Sequence, residues 1–433
     1  MTRLKGFDLI ALGFMTFALF LGAGNIIFPA SAGMAAGNNI WSVALGFLIT
    51  GVGLPLLSIV ALARVGGGMP SLTGPLGKVA GTVLAVAVYL SIGPLFATPR
   101  TAVVSFEIGV ASFAGNSDWA LFTYSLVFFS LVLFLVLNPG RLIDRVGKII
   151  TPLLLLALVL LGAAAIFAPA GSVGVTAPEY RELPLLQGFL QGYLTMDALG
   201  ALVFGIVIAT AIRDRGVTSP DLVTRYSIIA VIIAAIGLAL VYLALFYLGA
   251  TSKSIAFDAS NGGQILTAYV QHTFGIPGLL LLAAVIILAC LTTAVGLLTA
   301  CGEFFSELLH LSYRTVAVGF TLFSLLVANQ GLDQLISVSV PVLVGLYPLA
   351  IVLVLLSLAD RLWRNPRRVF IPVMAVTLVF GVADGLLASA FKEQVPAFFA
   401  SLPWAAQSMG WVQPVLVVLV VAALVDRLLP VKR

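Results

Sequence analysis

The chain has 433 residues, of which 61% are hydrophobic and 9% charged, with a mean hydropathy of +1.16. A soluble domain of this length needs a charged surface, so the composition excludes one and describes a polytopic membrane protein read as one integral unit. The formal charge of +5 is not a nucleic-acid footprint, because the charges gather in short clusters between apolar runs, as topology determinants do.

Met1-Thr2-Arg3-Leu4-Lys5, an apolar run and Ala30-Ser31-Ala32 together imitate a secretory signal. The run is too long for such a region, begins with Asp8 and carries Pro29 beside the small residues. It is read as the first membrane helix, uncleaved. Stretches long enough to span a bilayer fall near 8–34, 40–63, 79–112, 119–137, 149–169, 188–211, 226–249, 276–300, 314–328, 335–359, 369–391 and 411–429. The expectation is an all-α membrane protein of about twelve transmembrane helices, with internal Gly or Pro in the first, third and sixth.

The first span contains Leu21-Gly22-Ala23-Gly24-Asn25, followed by Pro29. A lipid-spanning helix must satisfy its backbone internally, and glycines at mid-span permit a non-helical interruption. The half-helix after Asn25 would present N–H groups and a positive dipole end to a carboxylate. The half-helix ending near Leu21 would present carbonyls to an ammonium group or a cation. A glycine seam for close helix packing is the structural alternative.

The third span holds Gly93-Pro94 and Pro99-Arg100, so a kink that frees carbonyls is expected. Arg100 and Glu107 lie seven residues apart on roughly one face and could neutralise each other. The sixth span carries Gln191-Gly192-Tyr193-Leu194-Thr195-Met196-Asp197. A carboxylate deep in a span is costly and by default a site candidate. Asp197 is read as facing a substrate ammonium, a coupling ion or a proton path; the structural alternative, an N-cap of a second half-helix, is compatible with those roles.

The eighth span supplies Ala289-Cys290-Leu291-Thr292-Thr293. Two adjacent hydroxyls share a ligand only at a helix edge, where a hard cation bridging two helices would sit; back-bonding to the preceding turn is the alternative. Cys290 and Cys301 stand roughly 16 Å apart along one helix and cannot bridge. Asp384 is deep but far along the chain, and suits helix packing or an oligomer contact. With the N-terminus inside, eighteen Lys and Arg fall on the inner side and only Arg181, Lys253 and Lys392 outside. Both termini are therefore expected in the cytoplasm. The longest outer segments are about 170–187 and 250–275.

Four stretches carry a resemblance: Phe20–Pro29, Ala44–Pro55, Ile92–Thr101 and Tyr193–Asp197. With them the chain resembles the branched-chain amino acid:cation symporters of the amino acid–polyamine–organocation superfamily, from Lys5 to about Leu429. The resemblance implies a leucine-transporter-like fold with helices 1 and 6 broken. Residues 1–170 and 171–360 would form inverted five-helix repeats, and 361–433 two appended helices. It implies a bacterial cytoplasmic-membrane location. The implied substrate site comprises Gly22, Ala23, Gly24, Asn25, Phe96, Gly192, Tyr193, Thr195, Met196 and Asp197, with Phe96, Tyr193 and Met196 around the substrate side chain. By the same resemblance, Na⁺ would be held by Ala18, Leu21, Ala289, Thr292 and Thr293. Relative to the neurotransmitter-type members, the run from Asn25 to Pro29 is a residue shorter and lacks their gating arginine.

The expected function is import of Leu, Ile and Val by symport with Na⁺, with membrane lipid as the surrounding partner, no cofactor and no nucleic acid. Proton coupling, or another neutral amino acid, is the alternative within transport. A channel would need a continuous polar helix face, a sensor would bring a soluble output domain, and an enzyme would need catalytically spaced groups; none is present in the sequence.

Overall fold

The computed structural model describes residues 4–66, 68–138 and 155–430. Arg3, Arg141, Arg145, Lys148, Lys432 and Arg433 of the sidedness count, the start of the N-terminal signal-like stretch and the beginning of the fifth predicted span lie outside the described residues. Those described are helices and connecting turns, with no strand among them.

The chain begins with α1 (Gly6–Phe20) and α2 (Ala23–Ala36). Gly37, at φ 49°, ends α2 ahead of α3 (Ile40–Leu48), which continues through a π-turn into α4 (Leu54–Val65). Next come α5 (Lys78–Leu90), α6 (Ala97–Gly109), α7 (Asp118–Leu137) and α8 (Leu155–Phe167). The second half has α9 (Pro184–Tyr193), α10 (Asp197–Arg213), α11 (Pro220–Thr251), α12 (Gly262–Leu309), α13 (Tyr313–Ala328) and α14 (Leu332–Leu358). The chain closes with α15 (Pro366–Leu387) and α16 (Val412–Leu428). Seven described helical stretches are long and apolar enough to cross a membrane, or eight if the bent pair α9 and α10 counts as one. The stretch from Ala23 to Val65 counts once in that total, although Gly37 interrupts it.

Close approach depends on missing side chains at two seams. Where α3 crosses α9, a Cβ on Gly188 would run into the Val43 carbonyl, and one on Gly46 into that of Leu185. Where α2 crosses α11, Gly33 and Gly249 lie in the same way on the Phe246 and Ala30 carbonyls. Backbones therefore touch backbones, as small residues allow within membranes. α12 lies along both α6 and α2, while α10 packs on α4 and α1. This brings α1, α2, α6, α10 and α12 around one interior point.

The outer segment expected at 250–275 is helical from Gly262 onward. Asn261 Oδ1 accepts from the N–H groups of Gly263 (3.0 Å) and Gln264 (3.2 Å), capping α12 early. Ile265, Leu266, Tyr269 and Val270 then form a buried stripe at helical spacing. Polar neighbours mask this amphipathic turn in a hydropathy reading. Gly275, at φ 61°, bends the helix where the longer apolar run begins.

The two ends of the bundle have distinct chemistry. At one, Arg64 donates to the Leu358 carbonyl, Arg364 to that of Arg427, and Arg368 to those of Leu429 and Pro430. At the other, the Gly174 N–H donates to the Ala250 carbonyl, the Ala177 N–H to Ala35, and Asn39 Nδ2 to Tyr180.

Candidate functional site

α1 ends at Phe20 and α2 starts at Ala23, so the chain runs through Leu21 and an extended Gly22 (φ −110°, ψ −170°). The side chain of Asn25 stabilises this step: its Oδ1 accepts from the Gly22 N–H at 3.1 Å. In an uninterrupted helix that N–H would serve the Ala18 carbonyl. α9 and α10 meet at a 43° bend. Met196 takes the left-handed conformation there (φ 63°, ψ 9°) while almost wholly buried. A non-glycine residue in that region is strained by roughly 1–2 kcal/mol, so the packing around it enforces the turn. Thr195 Oγ1 donates to the Gly192 carbonyl (2.9 Å) and accepts from the Asp197 N–H (3.3 Å).

The two interruptions meet. Asn25 Nδ2 donates to Asp197 Oδ2 at 2.6 Å and also to the Tyr242 hydroxyl, which itself donates to Asp197 Oδ2 at 2.7 Å. All three residues are buried, and such a charge requires this degree of satisfaction. The N-cap position of α10 is Met196, and the Asp197 carboxylate points to Asn25 and Tyr242. The capping alternative is therefore not the one adopted.

A cavity of ≈ 40 Å³ opens beside this network. Gly22, Ala23, Gly24, Asn25, Thr195, Met196 and Asp197 from the expected substrate set line it, as does Thr293 from the expected cation set. Phe96, Gly192 and Tyr193 do not. Gly192 faces the end of α3 and the π-turn after it, where a Cβ would strike the Thr50 hydroxyl and the Phe47 carbonyl. Tyr193 stacks on Tyr347 with ring centroids 4.2 Å apart. Phe96 is buried at the restart of the third span, after the non-helical Gly93. The apolar wall comes instead from Leu19, Phe20, Ile92, Phe204 and Leu297. Part of this was readable: Asp197, Gly200 and Phe204 recur at helical spacing, as do Thr293 and Leu297. Tyr242 sits in an unbroken apolar run, and only the need of a buried hydroxyl for a partner hinted at it.

On the cation side, Ala18, Leu21, Ala289 and Thr292 do not line the cavity. Thr292 Oγ1 donates to the Ala289 carbonyl at 2.9 Å, the back-bonded alternative. Thr293 differs: its Oγ1 is buried without a partner. A Cβ on Gly22 would stand 3.8 Å from that oxygen.

Arg100 does not turn to Glu107. It is buried, with Nη1 donating to the Leu194 carbonyl (2.7 Å), Nη2 to Ser339 Oγ (3.0 Å) and its guanidinium 5.1 Å from the centre of the Phe28 ring. Asp384 Oδ2 accepts from the Trp411 N–H at 3.1 Å and so anchors the start of α16. Cys290 and Cys301 are free and buried, with the Cys301 thiol donating to the Tyr89 carbonyl.

An all-helical, membrane-spanning body with a buried polar site where two interrupted helices meet has the form of a membrane transport protein. Solved structures share this fold. They include MhsT in complex with L-phenylalanine (TM-score 0.55, 17% identity, 95% of this chain and 98% of that one). Another is a Na⁺-coupled sialic acid symporter (TM-score 0.61, 14% identity, 98% and 91%). The sequence model described as branched-chain amino acid transport protein matches residues 5–429, and the chain belongs to that family. It is 71% identical over 429 residues to the branched-chain amino acid transport system 2 carrier protein of Pseudomonas aeruginosa, covering 99% of this chain and 98% of the relative. It is 54% identical to the permease BrnQ of Escherichia coli K12 (98% and 97%) and 45% identical to BraB of Bacillus subtilis (94% and 93%). The chain is a transporter and not an enzyme.

Proposed function

We propose that the chain is a secondary active transporter importing leucine, isoleucine and valine together with Na⁺, by alternating access around the cavity. The observation that carries this reading is the Asn25–Asp197 contact, which joins interruptions from the two halves of the chain in a protein of this family. The relatives' names support the substrate class, and the aliphatic and aromatic wall suits it. The first turn of α2 presents its positive end to the cavity and suits the substrate carboxylate; Asp197 suits the ammonium group.

Na⁺ coupling is supported by the unpartnered Thr293 hydroxyl beside Gly22 and by diversion of the Gly22 N–H from Ala18. The proposed ligands are the carbonyls of Ala18, Leu21 and Ala289 and the hydroxyls of Thr292 and Thr293, hard oxygen donors suited to a hard cation. Proton coupling through Asp197 is the second reading, favoured by the burial of its carboxylate. The wider arrangement we propose is twelve spans with helices 1 and 6 broken. Residues 1–170 and 171–360 form inverted repeats, 361–433 is appended, and both termini lie in the cytoplasm of a bacterium. Uptake of labelled leucine into proteoliposomes, with Na⁺ and proton gradients imposed separately, tests the coupling. A Na⁺ gradient alone is expected to suffice, and full uptake on a pH gradient in Na⁺-free buffer overturns it.

A further inference from the structure

We infer that Arg100 is the residue that makes a free α-carboxylate a condition of recognition; this rests on the amino acid reading above. Arg100 is 2% exposed in the middle of a membrane-spanning helix, where an uncompensated charge is costly. Its side-chain partners are a carbonyl and a hydroxyl, Leu194 O and Ser339 Oγ, and not a carboxylate. The Nε–H is buried with no partner. Arg100 nevertheless lines the same cavity as Asp197, whose Oδ2 is held by Asn25 and Tyr242. Two opposite charges thus border one small space, each secured by its own neutral partners.

The Leu194 carbonyl fixes where the guanidinium lies relative to the start of α2. It accepts from Arg100 Nη1, and it would stand 3.3 Å from a Cβ on Gly24 in the first turn of that helix. An arginine with an unused N–H therefore adjoins the N-terminus of α2. Both favour the same ligand, a carboxylate. A zwitterion laid between Arg100 and Asp197 neutralises both. An amine without the carboxylate leaves the arginine uncompensated and adds a second positive charge.

Leucine and leucinamide binding to the purified protein in Na⁺ buffer tests this. Wild type is expected to prefer leucine strongly. In Arg100→Gln that preference falls about 10- to 100-fold, the range for a charge-assisted hydrogen bond, because leucine binding weakens while leucinamide, relieved of the arginine's charge, binds as well or better. A purely structural role would weaken both ligands alike and leave the ratio unchanged, which overturns the inference. If the Gln variant does not fold, Arg100→Lys carries the test: it keeps the charge but loses the fork, so a partial fall is expected and an unchanged ratio is again fatal. Wild type that binds leucine and leucinamide equally overturns the role of Arg100 alone. Wild type that binds no leucine overturns the proposed function itself.

Discussion

Asp197 owes its place to two donors on other helices, Asn25 and Tyr242. An asparagine there keeps an oxygen for both but loses the charge. Asp197→Asn is therefore expected to fold and reach the membrane with near-normal thermal stability, yet to lose coupled uptake. Normal uptake by that variant would reduce the carboxylate to a structural part. Tyr242→Phe removes one of the two bonds to a buried carboxylate, a loss of about 1–3 kcal/mol, and is expected to lower both melting temperature and uptake. The two threonines of α12 separate cleanly. Thr293→Ala should raise the Na⁺ concentration needed for half-maximal uptake more than Thr292→Ala does, since Thr292 already donates within its own helix. Equal effects in a Na⁺ titration would remove Thr293 from its leading place.

At the scale of elements, the seams between helices set tolerance to change. A Cβ at Gly188 meets the Val43 backbone, which cannot yield as a side chain can. Gly188→Ala is expected to cost at least the 1–3 kcal/mol typical of overpacking. Gly319, inside α13, has nothing within 4 Å of its Cβ position. Gly319→Ala should be neutral or stabilising by up to about 1 kcal/mol, the difference in helix propensity. Thermal unfolding of both in the same detergent checks the contrast, and equal melting temperatures would mean that the α3–α9 seam is looser than described.

For the whole molecule, sidedness and selectivity are the testable properties. Cys290 and Cys301 are buried, so an introduced surface cysteine gives a clear signal. Lys392→Cys is expected to react with a membrane-impermeant maleimide on intact cells, and Arg361→Cys only after permeabilisation; the reverse pattern inverts the topology. Leucine, isoleucine and valine should compete for one site, because one methylene in an apolar pocket is worth only about 1–3 kcal/mol. Lysine and glutamate should not compete, since the apolar wall offers no partner for a side-chain charge. Displacement of leucine by lysine at similar concentration would count against the aliphatic pocket.

The membrane class and the interruptions at Gly22 to Asn25 and around Met196 were legible in the sequence. Hydropathy and backbone chemistry are local, and a glycine pair or a carboxylate inside an apolar run signals itself. Asn25 and Asp197 were singled out on that basis, and Thr293 by the pair of adjacent hydroxyls on the eighth span. Which way each side chain turns was not local. Asn25 meets Asp197 172 positions further on and Tyr242 217 positions further on, and no spacing rule links such residues. The same holds for Arg100, whose partners Leu194 and Ser339 lie on other elements, although Glu107 stands two turns away on its own helix. Gly192 carries the mark of a substrate contact, yet packing turns it to the end of α3 and the π-turn after it. The early part of α12 was hidden because its stripe is amphipathic and short. Composition and periodicity decide where helices form and fail; the angles at which those helices cross decide which failures face one another, and so where the site is.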